Sequence, residues 1–243
     1  MFKFIILSGM LIFSLTTNAM PKISVGSMYD FIEGDKSTFL KRIRNTGEST
    51  AFVRTEVSEI IYAADGSRKE VKLNAKNASS KDIDGLIFTP SRMIIPSKGM
   101  QSGRMVITGS REKERYYRIR YIPVMPKDRY EFGQTENEFK QYGKQLKAGI
   151  NVLTGYGAMV IVRPKNTIFK TTIEEKGNDI IIHNYGNSSI IIDDIKSCKE
   201  KICSETHSVI VMPGSNKVLN RDLGRSLNFN LLEGSKKTSK IFK

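Results

Sequence analysis

Apolar residues in this chain recur at strand-like spacing, in short runs bounded by Gly, Pro, Asn and Asp. Such runs, about 10–15 residues apart, are typical of an all-β sandwich. Up to residue 163 they predict the seven strands of one immunoglobulin-like sandwich. These strands are 23–32, 38–45, 51–63, 86–95, 100–108, 115–124 and 149–162.

The pattern restarts after Arg163-Pro164 and predicts a second, smaller set of strands. Pro164 cannot donate a ladder hydrogen bond, so it suits a boundary between sheets. The second set comprises 167–174, 179–183, 188–195, 208–212, 217–220 and 226–232. We therefore expect two β-sandwich domains, 20–163 and 164–243. The Lys- and Ser-rich tail 234–243 is expected to fray.

The strand that ends the first domain has an unusual pattern. Leu146, Ala148, Ile150 and Val152 alternate and therefore share one face, whereas residues 159–162 form a run typical of a strand buried on both faces. An apolar strand with a free edge recruits other chains, so keeping one suggests that the edge is used. The alternative is an ordinary core strand of a closed sandwich.

The polar segments beside this strand and at the N-terminus give two further expectations. Residues 130–147 are rich in Gly and polar side chains, which favours a mobile loop with at most a short helical turn. Residues 1–19 combine Lys3, an apolar run and small residues before Met20, as in a cleaved secretory signal. A retained anchor is the alternative, but the run is too short to span a bilayer.

The formal net charge is +14, and it becomes +13 (14 − 1) once Lys3 is removed. The cations are spread along the whole chain, and no nucleic-acid recognition motif accompanies them. We therefore expect an exported protein, periplasmic in its compartment, with no nucleic-acid partner and no stable membrane insertion.

Cys198 and Cys203 predict a disulfide across a short hairpin, since the compartment is oxidising. A metal site would need two more ligands, and only His183 and His207 are available. The chain has no nucleophile elbow, phosphate-binding Gly loop or zinc-helix motif. We expect no cofactor, no metal and no enzymatic activity.

The order of several short motifs resembles the periplasmic pilus (fimbrial) chaperones, and most closely the branch serving the common-pilus and alpha-fimbrial systems. The motifs are Ile23-Ser24-Val25-Gly26, Lys41-Arg42-Ile43-Arg44-Asn45, Phe88-Thr89-Pro90, Ile94-Ile95-Pro96, Arg115-Tyr116-Tyr117-Arg118, Ile122-Pro123 and Val162-Arg163-Pro164. The resemblance implies two immunoglobulin-like domains in a boomerang arrangement.

The resemblance also implies a mechanism. A family chaperone lends its seventh strand to an incomplete pilus subunit, caps it, and delivers it to an outer-membrane usher. By alignment on Arg163-Pro164, the donor residues here are Ile150, Val152 and Thr154, extended by Ala148 and Leu146. Thr154 departs from the bulky apolar residue usual there. The alternative function is a secreted immunoglobulin-like pilus subunit or adhesin.

In the family, an Arg and a Lys in the interdomain cleft hold the subunit's terminal carboxylate. The matching positions here are Tyr29 and Met159, and neither is cationic. Lys41 is the predicted substitute because it shares the more apolar face of its strand with Phe39 and Ile43. If the register is shifted by one residue, Arg42 faces inward instead.

The family resemblance further implies an interdomain salt bridge around Arg163, with Asp222 from the second domain and Glu112 as the acidic partner from the first. Glu114 lies only two residues from Glu112. Such a network would fix orientation more than it would stabilise the fold. Surface pairing without consequence is the other interpretation.

Overall fold

The computed structural model describes residues 20–63, 65–73, 84–146 and 153–243. The predicted signal, 1–19, lies outside these ranges. The described chain is built almost entirely from β-strands, with one helix, so the predicted all-β class is confirmed. Among the described residues, no helix has the length and apolar character needed to span a bilayer.

Two facing sheets form the first half, with strands numbered in chain order. The four-stranded sheet runs in the order β1 (Ile23–Ser24), β3 (Thr38–Asn45), β8 (Met100–Thr108) and β6 (Gly85–Thr89). The six-stranded sheet runs β2 (Tyr29–Ile32), β10 (Tyr156–Val162), β9 (Arg115–Val124), β4 (Ala51–Tyr62) and β5 (Arg68–Lys72), with β7 (Arg92–Ile95) also paired to β4. Alternate residues of both sheets point inward and form one core.

The second half has its own core between two smaller sheets. One contains β11 (Thr171–Lys176), β12 (Asp179–Asn184) and β16 (Asn216–Asn220). The other contains β14 (Ile202–Cys203), β13 (Ile190–Lys199), β17 (Ser226–Glu233) and β18 (Lys236–Phe242), with β15 (His207–Val211) also paired to β13.

The first predicted strand, 23–32, is in fact two strands in different sheets. β1 pairs with β3, whereas β2 pairs with β10. The chain crosses between the sheets at Gly26, whose φ of 67° lies in the left-handed region that glycine tolerates best. β5 was not predicted, because its sequence Arg-Lys-Glu-Val-Lys is exposed and carries no apolar alternation.

The C-terminal tail does not fray, so that expectation was wrong. β18 pairs with β17 along its length, and the Phe242 ring stacks on Phe229 with centroids 5.7 Å apart. A polar sequence hides this strand, because β18 lies at a sheet edge and contributes few side chains to the core.

The expected loop at 130–147 contains a helix, α1 (Glu136–Leu146), so that prediction was also wrong. A capping box starts it: Thr135 N donates to Glu138 Oε2 at 2.8 Å, and Glu138 N donates to Thr135 Oγ1 at 3.3 Å. These bonds lower the pKa of the Glu138 carboxyl. Tyr142 then packs against Phe52 of β4, which seats the helix on the sheet.

Candidate functional site

One edge of β10 is only half covered by its neighbour. β2 runs parallel to β10 but pairs with it only from Met159 to Val162. Met159 N donates to Met28 O at 2.8 Å, and Arg163 N donates to Ile32 O at 3.0 Å. Odd-numbered amides of β10 therefore point towards β2, and the amide of Gly157 points the same way. No strand of the described chain pairs with Gly157 on that side.

The residues around this open edge are exposed. Thr154, Gly155 and Gly157 all lie at the surface, whereas Ala158 and Val160 point into the core. The ordered strand begins at Tyr156, not at residue 149 as predicted. The described part of this edge is therefore an accessible line of backbone donors and acceptors, which is the structural feature that β-augmentation needs.

The predicted donor residues have different outcomes. Ala148, Ile150 and Val152 lie outside the described residues, so their role stays a prediction. Thr154 is exposed and directly precedes β10. Leu146 is the last residue of α1, so its predicted place in an extended strand was wrong. Helical periodicity was missed there because Gly143 and the polar residues around it masked it.

Lys41 points inward, as predicted, and only 5% of it is exposed. Its Nζ lies 2.9 Å and 2.7 Å from the two carboxylate oxygens of Asp30, and 2.6 Å from Ser27 O. All three ammonium protons therefore have acceptors within the domain. Burial raises the pKa of the Asp30 carboxyl, and Lys41 offsets part of that rise. Arg42 points outward and is exposed, so the alternative register was wrong.

Arg163 lies between the domains and is only 2% exposed. Its Nη1 donates to Ser189 O at 2.8 Å and also to Ser188 Oγ. The guanidinium carbon stands 4.6 Å from the ring centroid of Phe31 and 5.0 Å from that of Phe169. A cation between two aromatic faces, one from each half of the chain, gains from cation–π attraction while it is shielded from water.

The acidic partners of Arg163 differ from those predicted. Its Nε lies 3.2 Å from Glu33 Oε1. Within the described ranges neither predicted partner forms an ion pair with it: Glu112 is exposed, and Asp222 accepts from Ser197 Oγ at 2.8 Å. Those two assignments were wrong, because the second domain offers hydroxyls in place of a carboxylate at this joint.

Glu114 provides the link that was expected of Glu112. Its carboxylate accepts from Ser189 N at 2.8 Å, from Ser189 Oγ at 2.5 Å and from Ser188 Oγ at 2.5 Å. Tyr116 donates to the same carboxylate at 2.7 Å, and burial followed by the charge of Glu114 raises the pKa of that phenol. Ser188 thus bridges Glu114 and Arg163.

Arg111 is a functional candidate that sequence reasoning missed. Its guanidinium donates to four backbone carbonyls: Arg163 O at 2.7 Å, Glu33 O at 2.8 Å, Ile32 O at 3.3 Å and Lys36 O. These bonds tie the end of β2 to the start of the interdomain linker. Its only sequence signal is a cation in a turn that follows β8, which has no specific meaning by itself.

A cleft of about 480 Å³ opens between the domains. Its lining is mainly aromatic and aliphatic, with two arginines. The first half contributes Tyr29, Tyr62, Arg68, Tyr116, Arg118, Met159 and Ile161, and the second half contributes Ile191, Ser208, Val209, Ile210 and Met212. The matching positions Tyr29 and Met159 do face this cleft, so their location agrees with the alignment. Two cations among apolar side chains suit a ligand that carries both an anionic and an apolar group.

The predicted disulfide joins Cys198 and Cys203 and closes the β13–β14 hairpin. Among the described residues, no cluster of His, Cys, Asp and Glu could hold a metal ion. His183 instead stacks on Tyr185, with ring centroids 5.5 Å apart.

Replacing Glu114 by Ala removes the acceptor of three hydrogen bonds across the domain joint. We expect it to lower the free energy of unfolding by about 1–3 kcal/mol, since two hydroxyls and an amide lose their partner. Glu112→Ala is the matched control and should change it by no more than about 0.5 kcal/mol. Urea denaturation followed by circular dichroism measures both. Equal effects, or a larger effect at Glu112, would contradict the assignment.

Known proteins resemble this chain in sequence along most of its length, although no family model matches it. A CS1 fimbrial protein of Escherichia coli is 24% identical over 193 residues, covering 76% of this chain and 74% of that protein. The probable fimbrial chaperone EcpB of E. coli K12 is 23% identical over 204 residues, covering 82% and 81%.

Solved structures show the same fold. The class 5 fimbriae chaperone CfaA matches with a TM-score of 0.53 and 18% identity, covering 90% of this chain and 98% of that one. A chain of the Salmonella enterica SafA pilin–SafB chaperone complex matches with a TM-score of 0.51 and 14% identity, covering 93% and 98%. The resemblance predicted from the sequence is thereby confirmed: the chain is a relative of the fimbrial chaperones.

Proposed function

We propose that this protein is a periplasmic chaperone that binds, folds and caps pilus subunits by donor-strand complementation. The donor is the segment that leads into β10, and the capped subunit is then delivered to an outer-membrane usher. The periplasmic location rests on the signal pattern of residues 1–19, and the usher step rests on the family resemblance.

The open edge of β10 carries this proposal. Exposed strand edges are normally shielded, because unpaired amides and carbonyls recruit other chains. Here β2 stops at Tyr29 and leaves the edge free from Gly157 back towards α1. A subunit that lacks a strand could pair its backbone with this edge, while alternate donor side chains fill its open core.

The proposed donor row is Ala148, Ile150, Val152 and Thr154, shortened by Leu146 because that residue ends α1. Burying an Ile or Val side chain contributes about 1.5–3 kcal/mol. Two such anchors, together with the backbone ladder, would give a stable complex. Pilus subunits are proposed as partners because one of the similar structures is a pilin bound to a chaperone.

The alternative of a pilus subunit or adhesin has less support. A subunit of this class would have one immunoglobulin-like domain, whereas the described chain has two separate hydrophobic cores. β1 also begins at Ile23, which leaves little room for an N-terminal donor extension after the predicted cleavage site.

We also propose that Arg68, with Arg118 beside it, holds the subunit's terminal carboxylate in the interdomain cleft. Both side chains line that cleft. Within the described chain Arg68 has no ion-pair partner, whereas Arg118 Nη1 lies 2.9 Å from Glu70 Oε2. The predicted anchors have less support: Lys41 already uses its three donors, and Arg42 points outward from the other sheet.

Val152→Asp tests the donor segment. A buried carboxylate in the subunit groove would replace an apolar anchor, so we expect capture of a cognate pilin to weaken at least about 100-fold. Asn151→Asp is the matched control, since it adds the same charge on the opposite face of an extended strand. Co-purification and titration calorimetry measure capture, and circular dichroism checks the free fold. Undiminished capture by Val152→Asp would refute the donor assignment.

Arg68→Ala tests the anchor. Loss of a charge-assisted hydrogen bond should weaken pilin binding by about tenfold or more. Arg92→Ala is the charge-matched control, because Arg92 is exposed on β7 and does not line the cleft. Lys41→Met with Asp30→Leu removes the buried pair without leaving a lone charge. If that double variant loses capture while Arg68→Ala retains it, the anchor is Lys41.

A further inference from the structure

The outer face of the four-stranded sheet carries three exposed arginines and no acidic residue. Arg42 and Arg44 point outward from β3, and Arg104 points outward from β8. None of the four strands of this sheet contains Asp or Glu. Within the described chain none of the three arginines has an ion-pair or hydrogen-bond partner. We name this surface, with the exposed Leu40 and Met100, the arginine face.

The strand register places these side chains next to one another. Arg42 lies opposite Ser102, Leu40 opposite Arg104, and Arg44 opposite Met100. Arg42 and Arg104 are therefore diagonal neighbours, about 7–8 Å apart between Cα atoms. Arg42 and Arg44 are separated by two residues along one strand, which is about 7 Å. The three guanidinium groups form one compact cationic cluster.

Arginines on the outer face of the six-stranded sheet are treated differently. Arg115 Nε lies 2.8 Å from Glu59, and Arg120 Nη1 lies 2.5 Å from Glu70. Arg118 shares Glu70 with Arg120. On that face β4 and β5 supply a carboxylate for each of these arginines. The lack of such partners on the arginine face is a local property of one sheet and not a general result of the basic composition.

An unpaired cluster of this kind does not help the fold. Neighbouring like charges repel, and a chain of net charge +14 does not need three more cations in one place for solubility. Between the arginines, Leu40 is 58% exposed and Met100 is 48% exposed. Arg and Met are enriched at protein interfaces, where a planar guanidinium can bind a carboxylate through two hydrogen bonds.

We propose that the arginine face is a docking surface for an acidic protein surface that carries apolar side chains between its carboxylates. An anionic membrane fits less well, because lipid-binding clusters usually contain about 4–8 cations close together. The arginine face and β10 belong to opposite sheets of the sandwich. The acidic partner can therefore bind while the donor edge is occupied, which makes it a different protein from the captured subunit.

The test uses a fluorescent synthetic peptide of alternating Glu and Leu, titrated against the full mature chain at low and high salt. Arg42→Glu, Arg44→Glu and Arg104→Glu are combined in one variant. Lys236→Glu, Lys237→Glu and Lys240→Glu form the charge-matched control, since these lysines are exposed on β18. We expect the arginine variant to bind about 30-fold more weakly or worse, and the lysine variant to stay within about threefold of the parent.

Two further arms sharpen the result. Replacing the three arginines by lysines keeps the charge but loses the bidentate geometry, so binding should weaken by an intermediate factor. Vesicles of phosphatidylethanolamine and phosphatidylglycerol replace the peptide in a parallel titration. Absence of peptide binding, equal losses in the arginine and lysine variants, or binding of vesicles in preference to peptide would each overturn the proposal. The assay involves no pilin, so its result is independent of the donor-strand role.

Discussion

The point at which β2 stops determines what the rest of this molecule can do. Backbone amides in a strand need partners, so a neighbouring strand that covered all of β10 would close the sandwich. β2 pairs only with Met159–Val162, and its start is held by the buried contact between Lys41 and Asp30. Buried ion pairs add little net stability, but they disfavour other registers, because a shifted strand would leave a charge unpaired. We interpret this pair as the device that fixes the strand crossing at Gly26 and keeps the remaining edge of β10 open.

The domain joint depends on the same segment of chain. Arg111 fastens the carbonyls at the end of β2 to the carbonyl of Arg163, and Arg163 then reaches Ser188 and Ser189 in the second half. The open edge, the interdomain cleft and the joint are therefore mechanically connected through β2 and the residues after β10. A ligand that occupies the cleft beside Tyr29 contacts the strand whose length sets the free edge.

Several of these features follow from sequence, and the others have clear physical reasons for being hidden. Strong alternation fixed β3, β8 and β9 at their observed bounds, and it also placed Lys41 inward. The helix α1 was missed because its apolar contact with β4 comes from few residues, chiefly Tyr142. The partners of Arg163 were missed because hydroxyls replace the expected carboxylate, and a serine pair before a buried strand has no distinctive pattern. The arginine face needed the sheet order, since Arg104 lies far from Arg42 in the chain and joins it only through the pairing of β3 with β8.

Amide hydrogen exchange at Gly157, measured by NMR with and without a bound pilin, tests the open edge most directly. The amide of Met159 is bonded to Met28 O and should exchange slowly in both states. The amide of Gly157 should exchange quickly in the free chaperone and become protected when the pilin pairs with this edge. If Gly157 is already protected in the free protein, or stays unprotected in a stable complex, the edge is not the binding surface and the account fails.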